Sequence, residues 1–253
     1  MKNVRRFVPI ALALLFAAGV PGAGAAPAAV EHLPDLRTLP PSDVQIDSSG
    51  GGRLLRFSNI VANLGSGRME LRPQNTGNLL TVLLGGQATT RAYQGIYTHD
   101  AAGNWRKVRE NLVGTFKYHP EHAHWHFEKF ARYELFNVAA DGSIGSSLNR
   151  VGEKTTFCLI DTNRVDSTLE HSAASAQYTT CGPSSTTGIS VGWADKYGYQ
   201  LDGQWLDIAG VADGTYWLVS TVNYTGKLLE SDTTNNAGKV KIRITGNTVS
   251  TLG

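Results

Sequence analysis

From Arg53 onward, apolar and polar residues alternate along the chain with a period of two. Successive side chains of a strand point to opposite faces, so this alternation predicts strands with one wet face. In LLRFSNIVANLG (54–65), Leu55, Phe57 and Val61 share a face. In KFARYELFNV (129–138), Phe130, Arg132, Glu134 and Phe136 alternate with Ala131, Tyr133, Leu135 and Asn137. KVKIRIT (239–245) is the cleanest case, with Val240, Ile242 and Ile244 on one side and Lys239, Lys241 and Arg243 on the other. Asp141-Gly142, Asp202-Gly203 and Asp213-Gly214 supply turn chemistry between such runs. No long segment carries a 3.6-residue period. The pattern predicts an all-β chain, an antiparallel β-sandwich with long irregular loops and little helix. Residues 53–253 form its single large domain. Residues 26–52, including PAAVEHLPDLRTLPPSD, are proline-rich and aperiodic and read as an extended lead-in. Residues 162–190 are polar and irregular, and a loop of that length in a compact domain is functional or tied down.

The N-terminus changes the picture from fold to compartment. Lys2, Arg5 and Arg6 precede the apolar run FVPIALALLFAAGV, and small residues follow in AGAAPAA. That order predicts a secretory signal over residues 1–25, cleaved after Ala25, and a secreted product. The Sec route is expected, with the Arg5-Arg6 pair leaving the twin-arginine route open. The apolar run is short for a membrane span, and no later segment is a candidate, so no membrane insertion is expected after signal removal. Cleavage leaves 228 residues with 20 Lys+Arg against 21 Asp+Glu. A near-neutral chain lacks the electrostatics that capture nucleic acid. Both cysteines, Cys158 and Cys181, lie in the exported part, where an oxidising compartment favours a disulfide between them; two buried free thiols are the alternative.

The candidate chemistry is concentrated in YHPEHAHWHF (118–127), which holds His119, His122, His124 and His126 out of seven histidines in the chain. On a strand, His122, His124 and His126 converge on one side, while Ala123, Trp125 and Phe127 turn toward a core. Three imidazoles facing one space make a poor apolar surface and a good transition-metal site; nitrogen-only ligation suits Cu(II), Zn or Ni better than Ca or Mg. A polar strand face that happens to carry histidines is the plainer alternative. His119 precedes Pro120, which breaks the ladder, and reads as supporting the site or as structural. His32, His99 and His171 are isolated in sequence and read as ordinary structural residues.

HPEHAHWHFEKFARYEL resembles the copper segment of the lysyl oxidase family. The likeness continues in order through LLRFSNIVANLG, KTTFCLIDT (154–162), GISVGWADKYGYQLDGQWLDI (188–208) and GTYWLVSTVNYTGKLLESDTTNNAGKVKIRI. The resemblance implies one copper ion held by His122, His124 and His126. It also implies a self-made lysine tyrosylquinone cofactor formed from Lys154 and Tyr197. The implied activity is oxidative deamination of primary amines, either small amines or lysine in a protein, by dioxygen, giving aldehyde, ammonia and hydrogen peroxide. Asp161 and Asp195 are the two candidates for the base, each with a plain alternative as a hydrogen-bonded structural carboxylate. Gln204 and Trp205 read as a buried hydrogen bond and packing. Animal members are richer in cysteine and carry one where this chain has Glu121. A non-catalytic secreted copper-binding β-sandwich is the competing reading; the oligomeric state is left open.

Overall fold

The computed structural model of the chain describes residues 30–74, 89–119, 124–152, 156–182 and 185–252. Those residues form strands and loops without helix, arranged as three antiparallel sheets, which matches the all-β expectation. No helix among them is long and apolar enough to cross a membrane. The predicted signal segment, residues 1–25, lies outside the described residues.

The hub of the first sheet is β3 (Leu54–Asn63). It pairs with β1 (Leu36–Thr38), β2 (Ser42–Asp47), β13 (Trp193–Tyr197) and β14 (Trp205–Asp207), and β11 (Asn163–Arg164) adds to β13. The extended lead-in thus contributes two strands of its own to this sheet. Its LRT triplet alternates inward and outward, Leu36 is buried, and the Leu36 amide donates to the Glu230 carboxylate at 2.7 Å. Three residues are too short a period to read locally; the partner strand decides their state.

The second sheet runs in the order β10 (Thr156–Phe157), β7 (His124–Glu128), β6 (Trp105–His119), β5 (Thr89–His99), β4 (Met69–Pro73) and β12 (Thr187–Ile189). The third runs β17 (Thr248–Leu252), β16 (Ala237–Thr245), β15 (Gly214–Val222), β8 (Ala131–Val138) and β9 (Ile144–Val151). Asp141-Gly142 makes the β8–β9 turn, where Gly142 takes φ 85°, a conformation that penalises any Cβ.

The alternating faces meet in one core. Leu55 and Phe57 of β3, Tyr133 and Leu135 of β8, and Ile242 and Ile244 of β16 are all fully buried within it. Burying a side chain of that size contributes about 2 kcal/mol. Edge-on aromatic pairs stitch the sheets together: Phe57 to Tyr133 at 4.9 Å joins the first sheet to the third. Phe157 to Tyr197 at 4.6 Å joins the second to the first. The latter junction holds the candidate site.

Candidate functional site

On β7 the sequence alternation resolves as two faces. Trp125 and Phe127 enter the core, while His124 and His126 project to the other side. The two imidazoles bring their Nε2 atoms to 2.8 Å. His126 is buried, and its Nδ1 lies 3.3 Å from the Thr156 hydroxyl on β10. His119 ends β6 opposite His124, and its ring stacks on His126 with centroids 4.2 Å apart. His119 thus joins the group although Pro120 follows it. His122, Pro120, Glu121 and Ala123 lie outside the described residues, as does Lys154.

Tyr197 ends β13, and its ring packs edge-on against Phe157. Its hydroxyl accepts a hydrogen bond from the Cys158 amide at 2.7 Å and donates one to the Cys158 carbonyl at 2.8 Å. Burial, and then the charge of Asp195, push this phenol well above its ordinary pKa; the Cys158 amide acts in the opposite sense. Cys158 is disulfide-bonded to Cys181, with Cα atoms 5.8 Å apart, so the expected bridge is present. The Cys181 carbonyl in turn accepts a long, 3.4 Å bond from the Trp125 amide on the histidine strand.

These elements enclose one cavity of about 260 Å³, lined by His124 and His126, Cys158, Asp195, Tyr197 and Leu201 among others. Larger surface depressions of about 560 and 640 Å³ lie elsewhere and are lined without histidine. The cavity therefore gathers two of the three sequence-predicted metal ligands, the tyrosine expected to form the cofactor and one candidate base. The other candidate is placed differently. Asp161 accepts from the Gln177 amide (2.8 Å), the Tyr178 amide (3.2 Å), the Ser190 amide (2.8 Å) and the Ser190 hydroxyl (2.7 Å), and so pins the long loop to the sheet. Gln204 is buried and accepts from the Tyr133 hydroxyl at 3.3 Å, while Trp205 lies under the Arg56 guanidinium at 4.7 Å. Gln204 makes the buried hydrogen bond and Trp205 the packing contact that the sequence suggested. A second histidine group, His32, His99 and His171, converges elsewhere. Sequence reading passed over it because each of the three sits alone in the chain.

The family model described as Lysyl oxidase matches residues 99–253. The chain belongs to the lysyl oxidase family. Lysyl oxidase homolog 1 from Bos taurus is 35% identical over 138 residues, covering 54% of this chain and 21% of that protein. Protein-lysine 6-oxidase from Homo sapiens is 33% identical over 133 residues, covering 52% and 29%. Lysyl oxidase homolog 3A from Danio rerio is 33% identical over 201 residues, covering 79% and 20%. The chain thus spans less than a third of the length of each of these relatives. Within the lysyl oxidase match fall the cavity residues His124, His126, Cys158, Asp195, Tyr197 and Leu201, and the disulfide partner Cys181.

Proposed function

We propose that this lysyl oxidase family chain is an extracellular copper-dependent amine oxidase. It would convert a primary amine, dioxygen and water into an aldehyde, ammonia and hydrogen peroxide, acting on small amines or on lysine side chains of a protein. The observation that carries the reading is the single cavity shared by His124, His126, Asp195 and Tyr197. The disulfide and the basic-apolar-small order of residues 1–25 support an extracellular location.

The donor set fits copper: it is imidazole alone, and the contact between His126 Nδ1 and Thr156 leaves Nε2 directed at His124. His122, His124 and His126 would hold the ion, which when bound supplies the one-electron chemistry that lets dioxygen oxidise a phenol. The tyrosine is equally suited, since Lys154 lies four residues before Cys158, whose backbone clamps the Tyr197 hydroxyl. Lys154 and Tyr197 would together form a lysine tyrosylquinone, whose chemistry when present would be that of an electrophilic carbonyl toward primary amines.

The chain's own residues do the rest. Phe157 and the Cys158 peptide fix the plane and direction of the Tyr197 ring. Asp195, buried on the same cavity wall, would take the proton from the carbon bearing the amine. Asp161 serves as a structural carboxylate, its oxygens occupied by four donors.

The test is expression with copper in air, followed by denaturation and measurement of intact mass, visible absorbance and reaction with a carbonyl reagent. A crosslinked quinone gives a coloured, carbonyl-reactive polypeptide of altered mass, and amine-dependent peroxide release follows. A colourless chain of unmodified mass would instead favour a non-catalytic copper-binding protein.

A further inference from the structure

We propose that His32, His99 and His171 form a second transition-metal site, separate from the cavity of His124 and Tyr197. One ligand nitrogen from each of the three lies within 4.8 Å of those of the other two. The rings are close, with centroids 4.6 Å apart for His32 and His99, 3.9 Å for His99 and His171, and 5.4 Å for His32 and His171. A metal bound at about 2.0–2.1 Å to each imidazole needs neighbouring nitrogens a little over 3 Å apart, so side-chain rotation alone closes the site.

Three unrelated segments are held in place to make this group. His32 belongs to the lead-in, and its amide donates to the Tyr97 carbonyl of β5 at 2.8 Å. The approach depends on Gly67, where a Cβ would stand 2.1 Å from the His32 carbonyl oxygen. His99 is the last residue of β5 and pairs with Trp105, the first of β6. His171 comes from the long loop and has φ 67°, in the left-handed region. For a residue other than glycine that conformation is uncommon, and it sets the direction in which the His171 imidazole projects.

The surroundings carry charge of both signs: the Arg68 guanidinium lies 4.8 Å over the Trp105 ring and acts on His99, and Glu170 opposes it. Trp105 walls the group, its ring 3.9 Å from that of His99, 5.5 Å from His171 and 5.8 Å from His32. It restricts the imidazoles and excludes water from one side. The other side stays accessible: all three residues are half-buried, and the His171 side chain keeps 25% of its exposure. Glu170 brings a carboxylate within 3.6 Å of His171 Nε2 and adds negative charge. Three neutral nitrogens with room for a water ligand select Zn(II), Cu(II) or Ni(II) over Ca(II) or Mg(II). Bound there, the ion would staple the lead-in, the β5–β6 hairpin and the long loop, stabilising the fold through differential binding to the native state. The two histidine groups share no ligands, because β6 carries one at each end. His99 pairs with Trp105, and fourteen residues later His119 pairs with His124, roughly 45 Å along the strand.

The proposal stands apart from the amine oxidase reading, and its test separates them. The secreted chain is stripped with a chelator, dialysed against Zn(II) and assayed for bound metal by elemental analysis. A His124→Ala/His126→Ala chain is expected to keep one tightly held Zn(II) and to melt several degrees higher with it. Adding His99→Ala and His171→Ala should remove both the ion and the shift. No ion in the first variant, or an ion that survives in the second, overturns the proposal. The unsubstituted chain gives an independent reading that does not rely on variants folding. Zn(II) should slow acylation of His99 and His171 by diethylpyrocarbonate at least ~10-fold, as a bound ligand blocks the nitrogen. Equal labelling with and without Zn(II) rejects the site, whether or not the chain turns over amines.

Discussion

The Tyr197 hydroxyl is held from two directions by one residue, accepting from the Cys158 amide and donating to the Cys158 carbonyl at 2.7 and 2.8 Å. The phenol is thereby fixed against a peptide that is itself anchored through the Cys181 disulfide. Burial keeps it protonated across the physiological range. In the proposed cofactor chemistry, its neighbours on the cavity wall would have to activate it, since solvent will not ionise it.

Replacing Tyr197 with Phe separates chemistry from packing. The ring contact to Phe157 survives, while both hydrogen bonds to Cys158 disappear and leave a partly buried amide and carbonyl without that partner. A loss of about 1–3 kcal/mol is expected. The chain should stay folded yet show neither quinone absorbance nor amine-dependent peroxide release. Turnover that persists in Tyr197→Phe would remove Tyr197 from the cofactor.

The disulfide links the two halves of the site. Cys158 clamps Tyr197, and the Cys181 carbonyl reaches the Trp125 amide between His124 and His126. Closing a loop with a sequence separation of 23 residues is worth about 3 kcal/mol. A Cys158→Ser/Cys181→Ser chain should unfold at lower denaturant and with a steeper slope, because the unfolded chain freed of the crosslink exposes more surface. At temperatures where it remains folded it should also form the quinone more slowly, because histidines and phenol are no longer held together. Unimpaired quinone formation would show that the bridge acts on stability alone.

The parts legible in the sequence are those whose state is set by side chains a few residues away. The alternation of Lys239, Lys241 and Arg243 with Ile242 and Ile244 becomes one wet and one buried face of β16, because the period alone decides it. His124 and His126 share a face for the same reason. The lead-in was opaque because β1 has only three residues and draws its order from β3. Choosing between Asp161 and Asp195 was likewise beyond local pattern: four donors from residues 16 to 29 positions away capture Asp161. The His32, His99 and His171 group has no period at all, since two loops and a strand end assemble it.

The two carboxylates should therefore respond oppositely to amide substitution. In Asp161→Asn, one acceptor oxygen becomes an NH₂ that faces backbone donors, and about 2–4 kcal/mol of stability should be lost. Asp195→Asn keeps the shape of the cavity wall but removes the carboxylate proposed as the base. Its kcat with a small primary amine should fall by about 10²-fold or more, with a smaller loss of melting temperature than in Asp161→Asn. Equal kcat in Asp195→Asn and the unsubstituted chain would exclude Asp195 as the base.

Acid sensitivity should arise partly on the second sheet, far from any chemistry. Glu110 on β6 accepts from Arg72 of β4 through two bonds, at 3.0 and 2.6 Å, and from Lys107 at 2.6 Å. The Arg72 bonds, then the Lys107 bond, bring its pKa down to about 2 from 4.5. A carboxyl whose folded value is lowered binds fewer protons in the native state than in the unfolded one. Its stabilising contribution is therefore complete above pH 4.5 and is lost as the pH falls toward 2. The partners are partly exposed, with 41% for Arg72 and 23% for Glu110, so solvent screening limits the effect to about 1 kcal/mol. Glu110→Gln should lower stability by that amount at pH 7 and leave it unchanged near pH 2. The difference between the two chains should shrink across that interval in urea titrations, and should also narrow in high salt. A constant difference from pH 7 to pH 2 would mean that packing, not the ion pair, accounts for the change.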